Sequence, residues 1–298
     1  MSRIHDALKR AEQERATSLG GHVEPAGEQP ELQPVGMPAT AHSVTAVMPT
    51  MNAAFSYETL LARSPQEKWT PDKRSMLFFD EDENRMGAEE FRTLRSRLYQ
   101  IREKLPLKKL LVTSALPKEG KSFVAANLAQ VMVRQQGRRV LVIDADLRSP
   151  GMHRHLGARQ SPGLSEYLMG ECDEFGALQR GPMENLFFVP AGRSVAGAPE
   201  LLSNGRLKVF LQRVEPLFDW IILDTPPVIP VSDSTLLANF CDGVLMVVLA
   251  NSTPSDLARR AREEFQDKLL LGMVLNGIPS SQLSQSKYYY GEAQPSRA

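Results

Sequence analysis

From residue 108 onward, apolar runs of strand length alternate with stretches of helical period. The runs are KKLLVTS (108–114), RVLVID (139–144), NLFFVPA (185–191), WIILD (220–224), GVLMVVLA (243–250) and LGMVLNGI (271–278). They are nearly continuous in apolar character, the mark of strands covered on both faces. Between them, residues 121–136, 198–217, 232–239 and 254–268 read as helices. Strands of this kind alternating with helices predict an α/β fold, a mostly parallel sheet flanked by helices on both faces.

Upstream the pattern changes twice. Phe91, Leu94, Leu98 and Ile101 make an apolar stripe at helical spacing, and Glu89, Arg92 and Arg95 make a charged one. Read locally, that charged stripe is either a solvated face or a contact surface. Residues 1–16 predict a short amphipathic helix, with Ile4, Ala7, Leu8 and Ala11 on one face. Residues 17–78 carry Pro25, Pro30, Pro34, Pro38, Pro49, Pro65 and Pro71 among small and polar residues, without hydrophobic period. That composition predicts a disordered linker. The expected domain then runs over 85–278, and residues 279–298 read as a flexible tail.

Composition narrows the function classes. Lys plus Arg and Asp plus Glu are both 35 among 298 residues, which gives no reason to expect a nucleic-acid partner. Two distant cysteines, Cys172 and Cys241, suit neither a disulfide framework nor a zinc site. No apolar run approaches the roughly 20 residues of a membrane span, and the charged N-terminus does not look like a signal peptide. A cytoplasmic location is expected.

In doubly covered sheets, ligands bind beyond the carboxyl ends of the strands, and three of these ends carry chemistry. The first leads into SALPKEGKSFVAANLAQ, in which Lys118, Glu119, Gly120, Lys121, Ser122 and Phe123 span a loop and the start of a helix. Strand, GKS loop and helix together point to a phosphate-binding loop: backbone N–H groups face phosphate, Lys121 adds a cation and Ser122 a hydroxyl for Mg²⁺. Ala115 stands where the full pattern has glycine. The second strand ends in Asp144 and Asp146, followed by Arg148. The two acids suit a metal or a general base, or simply a turn, and Arg148 suits a phosphate or an ion pair with one of them. The fourth run ends in Asp224, the form of an acid that orients a metal ion. No GxGxxG follows any strand, so a nucleotide hydrolase or kinase fits better than a dehydrogenase.

SALPKEGKSFVAANLA, VLVIDADLRSPGMHRHLG and WIILDTPPV together resemble the Walker A, A′ and B motifs of the bacterial tyrosine kinases of capsule and exopolysaccharide synthesis. That family is related to the MinD and ParA ATPases, and the likeness is to its cytoplasmic CpsD/CapB-like type. The resemblance covers about residues 85–290. It implies a P-loop fold and an ATP- and Mg²⁺-dependent protein-tyrosine autokinase. Lys121 and Ser122 would hold phosphate and Mg²⁺. Asp144 and Asp146 would position metal and accept the tyrosine proton, Asp224 would complete the metal shell, and Asn276 would lie against the adenine. Lys118 replaces the family's usual glycine, and Leu116 stands where MinD carries its signature lysine, which weighs against a MinD/ParA-like positioning ATPase.

The resemblance also reads Glu89, Arg92 and Arg95 as the family's subunit-interface motif, and so implies a homo-oligomer. Its other implied partners are a transmembrane polysaccharide co-polymerase or adaptor, which would recruit the chain to the inner face of the plasma membrane, and a tyrosine phosphatase. Finally, it gives SKYYYGEAQPSRA a role. Tyr288, Tyr289 and Tyr290 would be phosphoacceptors on a tether of about ten residues, long enough to span roughly 30 Å to a neighbouring subunit.

Overall fold

The computed structural model describes residues 55–64, 66–79 and 86–279. The expected N-terminal helix and the tail with Tyr288, Tyr289 and Tyr290 lie outside them. Seven strands form one sheet in the order β3-β4-β2-β5-β1-β6-β7. They are β1 (Lys109–Ser114), β2 (Val140–Asp144), β3 (Gln179–Arg180), β4 (Leu186–Val189), β5 (Trp220–Asp224), β6 (Gly243–Leu249) and β7 (Leu270–Asn276). All neighbours pair in parallel except the short β3, which lies antiparallel on β4.

Successive residues of each strand feed opposite cores, as the pleat requires. Leu111, Leu141, Ile143, Ile221 and Leu223 face one layer. It holds α5 (Leu164–Met169), α6 (Glu174–Ala177), α7 (Ala198–Leu202), α8 (Arg206–Val214) and α9 (Asp233–Ala238). Leu110, Val112, Val140, Val142 and Ile222 face the other layer. There lie α2 (Ala88–Arg102), α3 (Lys121–Val133) and α4 (Met152–Leu156); α10 (Ser255–Glu263) follows β6. The sheet is thus the expected mostly parallel one, with helices on both sides.

Two helical stretches differ in detail. The helix expected over 198–217 is broken into α7, α8 and a 3₁₀ turn at Glu215–Leu217. Gly205 at φ +85° and Pro216 supply the interruptions. The pieces α4, α5, α6 and β3 are each at most six residues long, too short to show a period in sequence.

The linker expectation needs correction at its C-terminal end. Residues 57–63 form α1 (Tyr57–Arg63), with Ser56 capping it through the Thr59 N–H. Leu60, Trp69, Met76, Leu77 and Phe78 are all buried. The strap 66–79 is sewn to α3 by buried amides. Leu77 N–H donates to Asn127 Oδ1 at 2.8 Å, Phe78 N–H donates to Gln130 Oε1 at 3.2 Å, and Asn127 Nδ2 donates to the Ser75 carbonyl at 2.8 Å. At the crossing with α4, a Cβ on Gly157 would sit 2.0 Å from the Thr70 carbonyl oxygen. The proline content hid an apolar run, Met76 to Phe79, that finds its cover on another element.

Candidate active site

The carboxyl ends of β1, β2 and β5 are adjacent in the sheet, with Val112 paired to Asp224 and Asp224 paired to Asp144. This places the phosphate loop beside the two acidic strand ends, next to Asp224 on the central β5. The loop leaves β1 at Ser114 and delivers Gly120 as the cap of α3 at φ +91°. A side chain at Gly120 would meet Asn276 Nδ2 at 2.0 Å, so only glycine satisfies both the backbone and the space. Lys118 also takes a left-handed conformation, φ +66°, which a glycine would adopt without strain.

Four ionisable groups meet beneath the loop. Lys121 Nζ lies 3.2 Å from Asp146 Oδ2, with both side chains largely buried. Burial works against the Lys121 charge, but Asp224 and Asp146 outweigh it and hold the ammonium above its ordinary pKa. Asp144 is fully buried, and its carboxylate accepts from the N–H groups of Asp146 (3.1 Å), Gly151 (3.2 Å) and Met152 (3.1 Å). Those bonds shape the turn after β2. Burial, then the neighbouring Asp224, pushes Asp144 up to about 7. Asp146 Oδ1 takes the Ser149 N–H at 3.0 Å, so its other oxygen faces Lys121.

Asp224 differs from both. It is 1 % exposed, and neither carboxylate oxygen has a hydrogen-bonding partner. Burial pushes it up to about 6, against the pull of Lys121 and the nearby Ser122 hydroxyl. An orphaned, buried carboxylate beside a serine hydroxyl fits a hard divalent cation that completes its shell with water and phosphate oxygens. Ser122 and Asp224 are the residues that fit Mg²⁺. Among the described residues no group of three or more His, Cys, Asp or Glu could hold a metal.

Several expected site residues sit elsewhere. Arg148 is committed to Asp233: Nε donates to Oδ2 at 2.8 Å and a terminal nitrogen to Oδ1 at 3.1 Å. It therefore joins the turn after β2 to α9 instead of facing phosphate. Asn276 lies against the loop itself: its Nδ2 donates to the Glu119 carbonyl at 3.0 Å, which braces the loop and leaves the second N–H and Oδ1 of the amide uncommitted. The ring of Phe123 packs edge-on against Phe91 at 5.8 Å, away from the loop. Of the charged stripe, Glu89 is exposed and pairs with Arg92 at 3.1 Å. Arg95 turns inward to donate to the Val131 carbonyl at 2.9 Å, locking α2 to α3.

Sequence reading missed two participants. Asp233 is a fully buried acid opening α9, and its only signal was its place after the third strand end, in VIPVSDS. Thr253 bonds Glu119 from the loop after β6, and nothing in its spacing marks it.

A family model described as an AAA domain matches residues 118–253. The chain is 34% identical over 206 residues to tyrosine-protein kinase YwqD of Bacillus subtilis, covering 68% of this chain and 86% of that one. The crystal structure of the chimerical protein CapA2B2 superposes with a TM-score of 0.65 at 27% identity, over 74% of this chain and 97% of that chain. The kinase domain of the Escherichia coli tyrosine kinase ETK gives a TM-score of 0.61 at 29% identity, over 64% and 75% of the two chains. With the three strand-end motifs assembled as the motif resemblance implies, the chain belongs to the family of bacterial tyrosine-protein kinases.

Proposed function

We propose that this protein is an ATP-dependent protein-tyrosine autokinase that phosphorylates Tyr288, Tyr289 or Tyr290 of its own C-terminal tail. The observation that carries the reading is the convergence of Lys121, Ser122, Asp144, Asp146 and the unpartnered Asp224 at the ends of three adjacent strands. Backbone N–H groups at the start of α3 receive the phosphates. Lys121, held by Asp146, transfers its charge-assisted contact to the terminal phosphate. That exchange releases the Asp146 carboxylate. A tyrosine hydroxyl, with a pKa of about 10, needs such a base. The tyrosine oxygen bonds the γ-phosphorus as the bond to ADP breaks, and the tyrosine proton passes to Asp146. Bound Mg²⁺, held by Ser122 and Asp224, would neutralise phosphate charge and orient the phosphoryl group in line.

The family setting extends the reading to control of polysaccharide assembly. A transmembrane co-polymerase would hold the kinase at the inner face of the plasma membrane, and a tyrosine phosphatase would reset the tail. Homo-oligomerisation through Glu89, which is exposed, and the half-buried Arg92 of the α2 stripe would bring one chain's tail to another's site. No helix among the described residues is long and apolar enough to cross a membrane.

The test is incubation of the pure protein with ATP and Mg²⁺, followed by intact-mass measurement and phosphotyrosine detection. Mass gain in steps of one phosphate, absent in Lys121→Met, is expected. Steady ADP release without any phosphotyrosine would instead indicate a positioning ATPase.

A further inference from the structure

Glu119 sits one residue before the GKS glycine, yet it is only 3 % exposed and forms no ion pair among the described residues. A buried carboxylate without a cation must have both oxygens satisfied by hydrogen bonds. Oε2 accepts the Leu116 N–H at 2.7 Å, across the mouth of the same loop. Oε1 accepts the Thr253 hydroxyl. The direction of that second bond is set by its other partner. Thr253 Oγ1 already accepts the Leu249 N–H at 3.0 Å, so its single proton is available for Glu119.

Thr253 is a stiff anchor. Its own N–H donates to the Leu249 carbonyl at 3.1 Å, closing a tight turn on the end of β6, and its β-branched side chain has few rotamers. From β7, Asn276 grips the Glu119 carbonyl. Glu119 is thus held at its side chain by the β6 turn and at its backbone by the neighbouring strand. Rotating the peptide after it would disturb the N–H groups that open α3.

We propose that Thr253 is a positioning residue for the phosphate-binding loop: it fixes the Glu119 rotamer that closes on Leu116 N–H, so the loop has its binding shape before nucleotide arrives. The proposal rests on the nucleotide-binding reading of the loop and deepens it, since a loop already in its bound shape loses less ordering entropy on binding. Thr253 acts through Glu119, as a positioning and not a catalytic residue.

The experiment uses the full chain and titrates Mg²⁺–ATP by calorimetry well below the melting temperature, with steady-state kinetics alongside. Thr253→Val keeps the shape and removes the hydroxyl, leaving Glu119 Oε1 without its bond. Affinity is expected to fall about 10- to 100-fold. The Michaelis constant for ATP should rise with it, while turnover changes by less than about threefold. Thr253→Ser, which keeps the hydroxyl, should restore affinity to within about threefold of wild type. In a Glu119→Ala background, Thr253→Val should cost nothing further, because the two act in series. Unchanged affinity in Thr253→Val, even with a lowered melting temperature, overturns the proposal, as does full additivity with Glu119→Ala. A wild-type chain that binds no nucleotide overturns the nucleotide reading and this proposal with it.

Discussion

Removing the Asp224 carboxylate should make the ligand-free protein more stable while abolishing its activity. Asp224 is buried, has no hydrogen-bonding partner on either oxygen, and is pushed from the ordinary 3.8 up to about 6. Its folded-state value lies above its unfolded one, so the native state binds the proton more tightly. The contribution of Asp224 to stability is therefore full below about pH 4 and is lost as pH rises through about 6. At about 1.4 kcal/mol for each pH unit, the full effect above pH 6 is about 3 kcal/mol. The value of about 6 already includes the pull of Lys121; a buried Asn amide also lacks partners there, so the net gain at pH 7.5 is expected to be about 1–3 kcal/mol. Urea unfolding of wild type and Asp224→Asn, without Mg²⁺ or nucleotide, should show the two converging near pH 4 and separating by pH 7. A variant less stable than wild type at pH 7.5, or a difference that does not change with pH, would refute the electrostatic reasoning.

Four further outcomes follow from particular contacts. Lys118→Gly exchanges left-handed strain of about 1–2 kcal/mol for unfolded-chain entropy of about 0.5–1 kcal/mol, and should raise the melting temperature by a few degrees in calorimetry. Gly120→Ala adds a Cβ at φ +91° against Asn276, and should abolish Mg²⁺–ATP binding in a titration that wild type passes. Arg148→Ala strands the buried Asp233, and at the partly exposed Arg148 should cost about 2–3 kcal/mol in urea unfolding; Arg148→Lys, lacking the two-pronged geometry, should rescue less than half of it. Asn127→Leu leaves the Leu77 N–H and Ser75 carbonyl without partners, and should cost about 2–3 kcal/mol, with limited proteolysis now cutting within residues 66–79.

The strand order of chemistry was legible because it depends on local pattern. Continuous apolar runs that end in Asp or Asp-x-Asp, or that lead into a GKS loop, place their own polar residues at or just beyond strand ends, and a parallel sheet gathers those ends on one side. What the pattern could not convey was the destination of long or amide side chains. Arg95 and Arg148 carry the same charge as an interface or phosphate ligand would, but a carbonyl on α3 and a carboxylate on α9 lie nearer. Asn276 braces the Glu119 peptide through one N–H, a contact that nothing in the sequence marks. The strap illustrates the converse. Trp69 and Met76 to Phe78 look stranded among prolines, and only the buried Asn127 and Gln130 of α3, ordinary-looking in sequence, explain why they fold down.

The central claim is that this crevice transfers phosphate to the chain's own tail tyrosines. The most direct measurement mixes two variants, Lys121→Met with an intact tail and an otherwise wild-type chain truncated after residue 279, with ATP and Mg²⁺, and maps phosphosites by mass spectrometry. The account predicts phosphotyrosine at Tyr288, Tyr289 or Tyr290 of the Lys121→Met chain only when the truncated chain is present. Phosphotyrosine on wild type that maps only outside the tail, or a tail that stays unmodified in both the mixture and the wild-type protein, would contradict it.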